Sequence, residues 1–345
     1  MPEAPGSAAS GSTAGPGPDH GIGPDRVSGP DRVSGLAFGT APLGNMFVEL
    51  ADDDAFAVLA EAWDAGIRYF DTAPHYGVGL AERRLGEFLR TKPRDSYTVS
   101  TKVGRRLVAD PAGAGRLDGE GFVVPATAAR VWDFTADGVR RSLDESLERL
   151  GLDRVDVLYV HDPERSDIGL AAALETSIPA LAALRDEGAV GRIGIGSMVN
   201  DAIAAAARTG ALDLAMIANR VTLADHSALE AAVPACGDAG VAVVAAAVFN
   251  SGLLASPEPD AAGRFDYADV PPEVLARVRR LAAVCANHGT DLPTAALHFP
   301  IRAGARAVVI GGNARGQIGQ NRARFDAPVP AGLWVELAAE GLIPA

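Results

Sequence analysis

Cysteine is scarce in this chain. Its two cysteines, Cys236 and Cys285, form no CxxC pair in 345 residues. That scarcity fits a reducing compartment, and the cytoplasm is the expected location. No uninterrupted apolar stretch of about 18 residues occurs, so no membrane span is expected. The N-terminus lacks the charged-then-apolar order of a secretory signal. Basic charge is short as well. Lys and Arg number 31 against 44 Asp and Glu, the formal net charge is −13, and no basic run stands out. Phosphate backbones are gripped by Lys/Arg stripes, so nucleic acid is not an expected partner. No cluster of metal ligands is evident, and no metal is expected.

What is present suffices for a large core, since 48% of the residues are hydrophobic. This length is long for one ordinary domain and normal for an α/β barrel. Residues 1–32 are a different material, rich in Gly, Pro, Ser and Ala, and "GPDRVS" occurs twice, at 23–28 and 29–34. Such a segment cannot bury enough apolar surface to offset the entropy of ordering. Residues 1–32 are therefore expected to be a disordered tail and 33–345 a single barrel. Deleting residues 2–31 should change neither activity nor melting temperature. A melting point lower by several degrees would show that the tail packs on the barrel.

From about residue 34, short apolar runs alternate with helical patterns. Strands are expected at "GLAFGTA" (35–41), "IRYFD" (67–71), "SYTVSTK" (96–102), "VDVLYVH" (155–161), "RIGIGS" (192–197), "LDLAMIAN" (212–219), "VAVVAAAVF" (241–249) and "ARAVVIGG" (305–312). Helices are expected at 52–65, 80–89, 135–150, 170–187, 201–209, 227–240, 272–287, 293–301, 314–324 and near 330–342. The stretch 103–134 reads as long and irregular. Strands that are nearly all apolar are buried on both faces, hence parallel. Eight strand–helix units in about 310 residues fit a closed (β/α)8 TIM barrel. The alternative is an open doubly wound sheet, but "GLAFGTAPLG" matches G-x-G-x-x-G poorly.

In a barrel, the C-terminal ends of the strands face the functional mouth. Asp71 ends the second strand and Tyr76 lies just beyond it. Lys102 ends the third and His161 the fourth. Each alone is weak evidence. A tyrosine in a loop is more often packing, Asp71 could cap a turn, and His161 could be a hydrogen-bonded structural histidine. Lys102 is harder to dismiss, because an isolated buried charge is costly and Asp71 is the nearest partner. Together the four describe a proton shuttle. A free phenol has a pKa near 10, and a neighbouring ammonium should lower it. Asp71 would hold Lys102 charged, His161 would orient a substrate oxygen, and Tyr76 would exchange its proton. With no Cys or Ser nucleophile and no metal, this suits hydride transfer by a cofactor.

"GIRYFDTAPHYGVGLAERRLGEFL", "VSTKVGR" and "VDVLYVHDPE" resemble the aldo-keto reductases over roughly residues 34–343. The resemblance implies that Asp71, Tyr76, Lys102 and His161 are the family's catalytic tetrad. It also implies a nicotinamide cofactor lying extended across the barrel mouth. "LAFGTAPLGNMF", "NRVTLADH", "VFNSGLLA" and "AGLWVELAAEGLIP" resemble the branch of D-threo-aldose 1-dehydrogenase and L-fucose dehydrogenase. That branch also contains L-galactose dehydrogenase and pyridoxal 4-dehydrogenase, and its members commonly oxidise a sugar at the anomeric carbon to a lactone. The alternatives are a broad-range aldehyde or ketone reductase, a pyridoxal 4-dehydrogenase, or a non-enzymatic cofactor-binding regulator of the same fold. The intact tetrad argues against the last.

The same resemblance assigns the cofactor residues, with departures. Gly39 and Thr40 should approach the cofactor at the first strand's end. Gly196 and Ser197 stand where the family has a Ser-Asn pair, and Asn219-Arg220 where it has Asn-Gln. Ala246 stands where many members place an aromatic over the nicotinamide, so that stack should be absent. Asn250, Ser251, Gly252 and Leu253 should line the pyrophosphate. Gly311, Gly312, Asn313, Gln317 and Asn321 should meet the adenosine end. For the glycines the competing reading is simple loop geometry. Phe47, Trp132 and Arg220 are the expected substrate contacts, and a sugar or aldehyde is the expected small-molecule partner. NADP-using relatives carry Lys and Arg where this chain has Gly311 and Gln317. NAD is therefore expected over NADP, with Arg315 as the one residue that could reach the extra phosphate.

Overall fold

A computed structural model describes residues 33–345. The expected tail, 1–32, lies outside the described residues. Eight parallel strands close into a barrel. They are β1 (Gly35–Gly39), β2 (Tyr69–Asp71), β3 (Thr98–Val103), β4 (Val155–His161), β5 (Val190–Ser197), β6 (Leu214–Ala218), β7 (Ala242–Ala246) and β8 (Ala307–Ile310). Each pairs with its sequence neighbour, and β8 closes on β1 with Leu36 opposite Val308. This is the (β/α)8 architecture that the alternation of elements implied.

The strands show why both faces are apolar. Ala37, Tyr69, Val157, Tyr159, Met216, Val244 and Val309 form one cluster inside the barrel. The alternate residues, such as Phe38, Phe70, Val99, Leu158, Ile195 and Ile310, belong to the larger core beneath the helices. Period-two alternation thus feeds two cores, and neither face meets water.

The helices are α1 (Asp52–Asp64), α2 (Leu80–Leu89), α3 (Ala136–Leu150), α4 (Leu170–Asp186), α5 (Asn200–Ala207), α6 (Ala232–Asp238), α7 (Pro272–Asn287), α8 (Leu292–Arg302), α9 (Gln317–Asp326) and α10 (Ala331–Ala339). Local chemistry sets many ends. Thr135 Oγ1 accepts from Gly138 N at 3.0 Å to open α3, and Gly151 at φ 61° ends it. No helix among the described residues is long and apolar enough to cross a membrane.

Several expectations differ from the structure. The stretch 103–134 is not irregular throughout, because Arg105–Ala109 pairs antiparallel with Ala128–Trp132. This hairpin carries residues past the rim of β3. The seventh strand stops at Ala246, since Ala247, Asn250 and Ser251 take positive φ of 52°, 44° and 59° and turn the chain. A second hairpin, Arg264–Phe265 with Ala268–Asp269, follows that turn and had no counterpart in the sequence reading. Helix α9 begins three residues later than expected. The Gln317 side chain accepts from Asn313 N and Ala314 N and holds those residues in a loop.

Candidate active site

The ends of β2, β3 and β4 place Asp71, Lys102 and His161 side by side on one rim. Lys102 Nζ lies 2.5 Å from Asp71 Oδ2, 3.1 Å from Tyr76 Oη and 3.0 Å from the Thr72 carbonyl. Its three donors are all used. Asp71 and Lys102 are each 2% exposed, so the pair is shut away from water. Asp71 is fixed from below, where Ser100 Oγ donates to its Oδ1 at 2.7 Å. Ser100 also reaches Tyr69, which bonds Tyr159 at 2.9 Å inside the barrel. The Tyr76 ring stands perpendicular to that of His161, 5.9 Å between centroids. All four expected catalytic residues therefore meet at one point.

Their protonation is set by burial as much as by charge. Burial alone would lower the Lys102 pKa, but Asp71 and Tyr76 outweigh it and raise the value. For Tyr76 the balance runs against the sequence expectation. Burial raises the phenol by more than Lys102 lowers it, and the net shift is upward. Burial, then Arg105 and Lys102, push His161 well below the usual histidine value. Burial first, then Arg105 and Arg130, push His75 down to about 2. Both imidazoles are neutral at pH 7.

A neutral buried histidine has a stability signature. The unfolded chain binds a proton near pH 6.5, whereas the folded chain binds one only at much lower pH. The unfolded state therefore holds more protons below that value, and stability falls as pH falls. Each of the two contributes up to about 1.4 kcal/mol per pH unit there. The melting temperature should drop steadily from pH 7 to pH 5, and a His75→Asn variant should show a shallower drop. An equal slope in both proteins would refute the assignment of His75.

The other expected residues fall at the mouth in varied roles. Thr40 Oγ1 and Asn219 Oδ1 are buried polar atoms without a partner. Such orphans are costly unless a ligand satisfies them, so both fit the edge of a cofactor site. Ser197 Oγ donates to Glu164 Oε1 at 2.7 Å and accepts from Val199 N. Asn250 is buried and ties its turn to the loop after β6, accepting from Thr222 Oγ1 and donating to the Asn219 carbonyl. Leu253 is buried in a hydrophobic cluster with α7 and α8. Ser251 Oγ accepts from Tyr267 N at 2.9 Å, and Gly252 takes φ 101° in the same turn. Packing accounts for three other glycines. A Cβ on Gly39 would meet Val309 at 2.9 Å, on Gly311 Pro42 at 2.8 Å, and on Gly312 Ile318 at 2.7 Å. Asn321 is buried on α9, beside that loop.

The expected substrate contacts are partly bound up in the walls. Trp132 stacks on Phe134, 5.8 Å between centroids, with the Arg105 guanidinium 4.7 Å over its ring. Arg220 is held by Asp225 at 3.1 Å and Asp266 at 2.6 Å, which latches the 264–269 hairpin to the end of β6. Phe47 lies against Tyr267 of that hairpin, 6.3 Å between centroids. Burial pushes the Tyr267 phenol up, and Tyr76 nearby adds to that shift. An aromatic thus reaches the mouth from a distant hairpin, although position 246 is alanine. The sequence reading missed Tyr267, Arg105 and Asp162. Of these, only Asp162 carried a signal, its place next to His161.

A barrel whose rim joins a buried Asp–Lys pair to a phenol and a neutral imidazole is built to move a proton on and off a substrate oxygen. That arrangement suits a cofactor-dependent oxidoreductase, in which the protein moves the proton and the cofactor carries the harder step. The model of the Aldo/keto reductase family matches residues 35–336. D-threo-aldose 1-dehydrogenase from Pseudomonas sp is 52% identical over 312 residues, 90% of this chain and 94% of that protein. Pyridoxal 4-dehydrogenase from Microbacterium luteolum is 38% identical over 89% of this chain and 94% of its own length. L-galactose dehydrogenase from Arabidopsis thaliana is 33% identical over 83% and 82%. Among solved structures, a glycerol dehydrogenase from Gluconobacter oxydans superposes with a TM-score of 0.71 at 21% identity, over 90% of this chain and 93% of that one. The chain belongs to the aldo/keto reductase family, and it is an NAD(P)-dependent oxidoreductase.

Proposed function

We propose that this enzyme oxidises an aldose at its anomeric carbon to the lactone, in the cytoplasm, with NAD as the preferred acceptor. The observation that carries the reading is the Tyr76 Oη held 3.1 Å from Lys102 Nζ beside a neutral His161. The names of two relatives, an aldose and a galactose dehydrogenase, support a sugar as the substrate. In this reading neutral His161 donates to the anomeric oxygen and orients it. Tyr76 takes the hydroxyl proton. Lys102 stabilises the phenolate, and Asp71 keeps Lys102 charged and in place. A nicotinamide bound at the mouth would supply the hydride acceptor that this oxidation needs. Thr40, Ser197, Asn219, the 250–253 turn, the 311–313 loop, Gln317 and Asn321 would hold it. A panel of aldoses, simple aldehydes and pyridoxal, followed at the reduced-nicotinamide absorbance, tests the reading. Turnover of pyridoxal or simple aldehydes without any aldose would overturn it.

The preference for NAD rests on charge at the start of α9. Glu61 on α1 accepts from Gly316 N at 2.8 Å and from Gly319 N at 2.6 Å, so a carboxylate already occupies the anion-seeking end of that helix. Arg315, the candidate cation, is engaged by Asp54 at 3.2 Å. A 2′-phosphate there would meet two carboxylates. NAD should exceed NADP by at least about tenfold in kcat/KM, or about 1.4 kcal/mol. The double variant Glu61→Gln/Asp54→Asn should bind NADP more tightly in calorimetry while NAD affinity moves little. Equal use of both cofactors by the wild type would refute the preference, as would a preference for NADP that Arg315→Ala abolishes.

A further inference from the structure

We propose that Asp162, held in place by Arg105, reads the hydroxyl on the carbon next to the reacting carbon, and so selects vicinal hydroxy-carbonyl substrates over plain aldehydes. The proposal rests on the sugar reading above and deepens it.

Asp162 follows His161 directly and bends into the mouth through a left-handed backbone at φ 42°. A non-glycine residue in that region is uncommon, and such conformations gather at functional sites. Its Oδ2 lies 3.8 Å from His161 Nε2 and pairs with the Arg105 guanidinium. Arg105 reaches it from the hairpin of residues 105–132, with Trp132 against its flat face. The carboxylate also acts on the Tyr76 phenol. A substrate oxygen bridging Tyr76 and His161 therefore has Asp162 as its next neighbour. On a sugar, the oxygen at that remove is the one on the adjacent carbon, because vicinal oxygens stand at hydrogen-bond separation from each other.

The chemistry of the pair suits a neutral polyol. Arg105 is neutralised by Asp162, so the pair does not invite an anionic substrate. Asp162 Oδ1 has no hydrogen bond among the described residues and is not one of the buried orphan atoms, so it remains open to accept from a hydroxyl. His75 completes the wall. Its ring lies 5.7 Å from that of His161 and 5.3 Å from that of Phe122, and its Nδ1 has no partner. A charged acceptor that the bound substrate covers without supplying a donor is costly, and that cost rejects a substrate lacking the hydroxyl.

The test compares substrate pairs that differ by one hydroxyl. The best aldose of the panel, L-fucose for example, and its 2-deoxy counterpart are measured in oxidation. Lactaldehyde and propanal are measured in reduction, which needs no sugar. The wild type should favour the hydroxylated member by about 10²-fold or more in kcat/KM. Asp162→Asn should bring that ratio below about tenfold, mainly through a higher KM for the hydroxylated member. Arg105→Lys, which keeps the charge, should retain more of the preference than Arg105→Gln. A wild type that treats both members alike in both directions overturns the proposal, and this needs no variant to fold. A ratio unchanged in folded Asp162→Asn also overturns it. Failure of the sugar reading looks different: no aldose is oxidised, yet lactaldehyde is still preferred to propanal.

Discussion

Tyr76→Phe is expected to cut turnover by about 10²–10⁴-fold, the usual contribution of a positioned general acid–base group. Cofactor affinity should stay nearly unchanged. Phenylalanine fills the same space and removes only the oxygen that Lys102 Nζ contacts at 3.1 Å. Lys102 keeps Asp71 and the Thr72 carbonyl, so the rim should hold its shape. The wild-type pH profile gives a second readout. Oxidation requires the deprotonated phenol and reduction the protonated one. Because the net shift of Tyr76 is upward, oxidation should keep rising toward alkaline pH while reduction falls. Initial rates and cofactor titration check the pair. A Phe variant turning over near the wild-type rate would refute the role of Tyr76.

Lys102→Met should damage both stability and chemistry. The substitution leaves the Asp71 carboxylate buried and without its cation, and breaking a buried pair in this way costs about 3–5 kcal/mol. It also removes the ammonium that favours the phenolate. The double variant Lys102→Met/Asp71→Asn separates the two effects. Removing the second charge should recover much of the melting temperature, because the orphaned carboxylate is gone. Turnover should not recover with it. A Lys102→Met protein that melts with the wild type, or a double variant with restored turnover, would show that the relay works differently.

Legibility followed the reach of the cause. Helices α2 and α7 and strand β4 match the sequence reading residue for residue. Their ends are set by neighbours a few positions away, such as Pro272 at the start of α7. The end of β7 was misread because Ala246–Phe249 continues an apolar run, yet Ala247 turns to positive φ in the fold. The mouth hairpin escaped notice because its strands pair across an intervening loop, and half-exposed "AARVW" has no strong pattern. Arg105 meets Asp162 from 57 positions away, and Glu61 meets Gly316 from 255 positions away. No spacing rule reaches so far.

From the sequence alone came the barrel and the four residues on its rim. Eight apolar strands alternating with helices leave few ways to bury both strand faces, and closure sends every strand's C-terminal end to one mouth. Asp71, Lys102 and His161 had to meet there once they stood at those ends. The charge states were decided only by the tertiary structure. Desolvation depends on what covers a group, and here it pushes Tyr76 up against the pull of Lys102 and keeps His161 neutral. Tertiary contacts also decided which charged residues remain free at the mouth. Asp225 and Asp266 take Arg220, Asp54 takes Arg315, and Arg105 is aimed at Asp162, all through side chains that folding alone brings within reach.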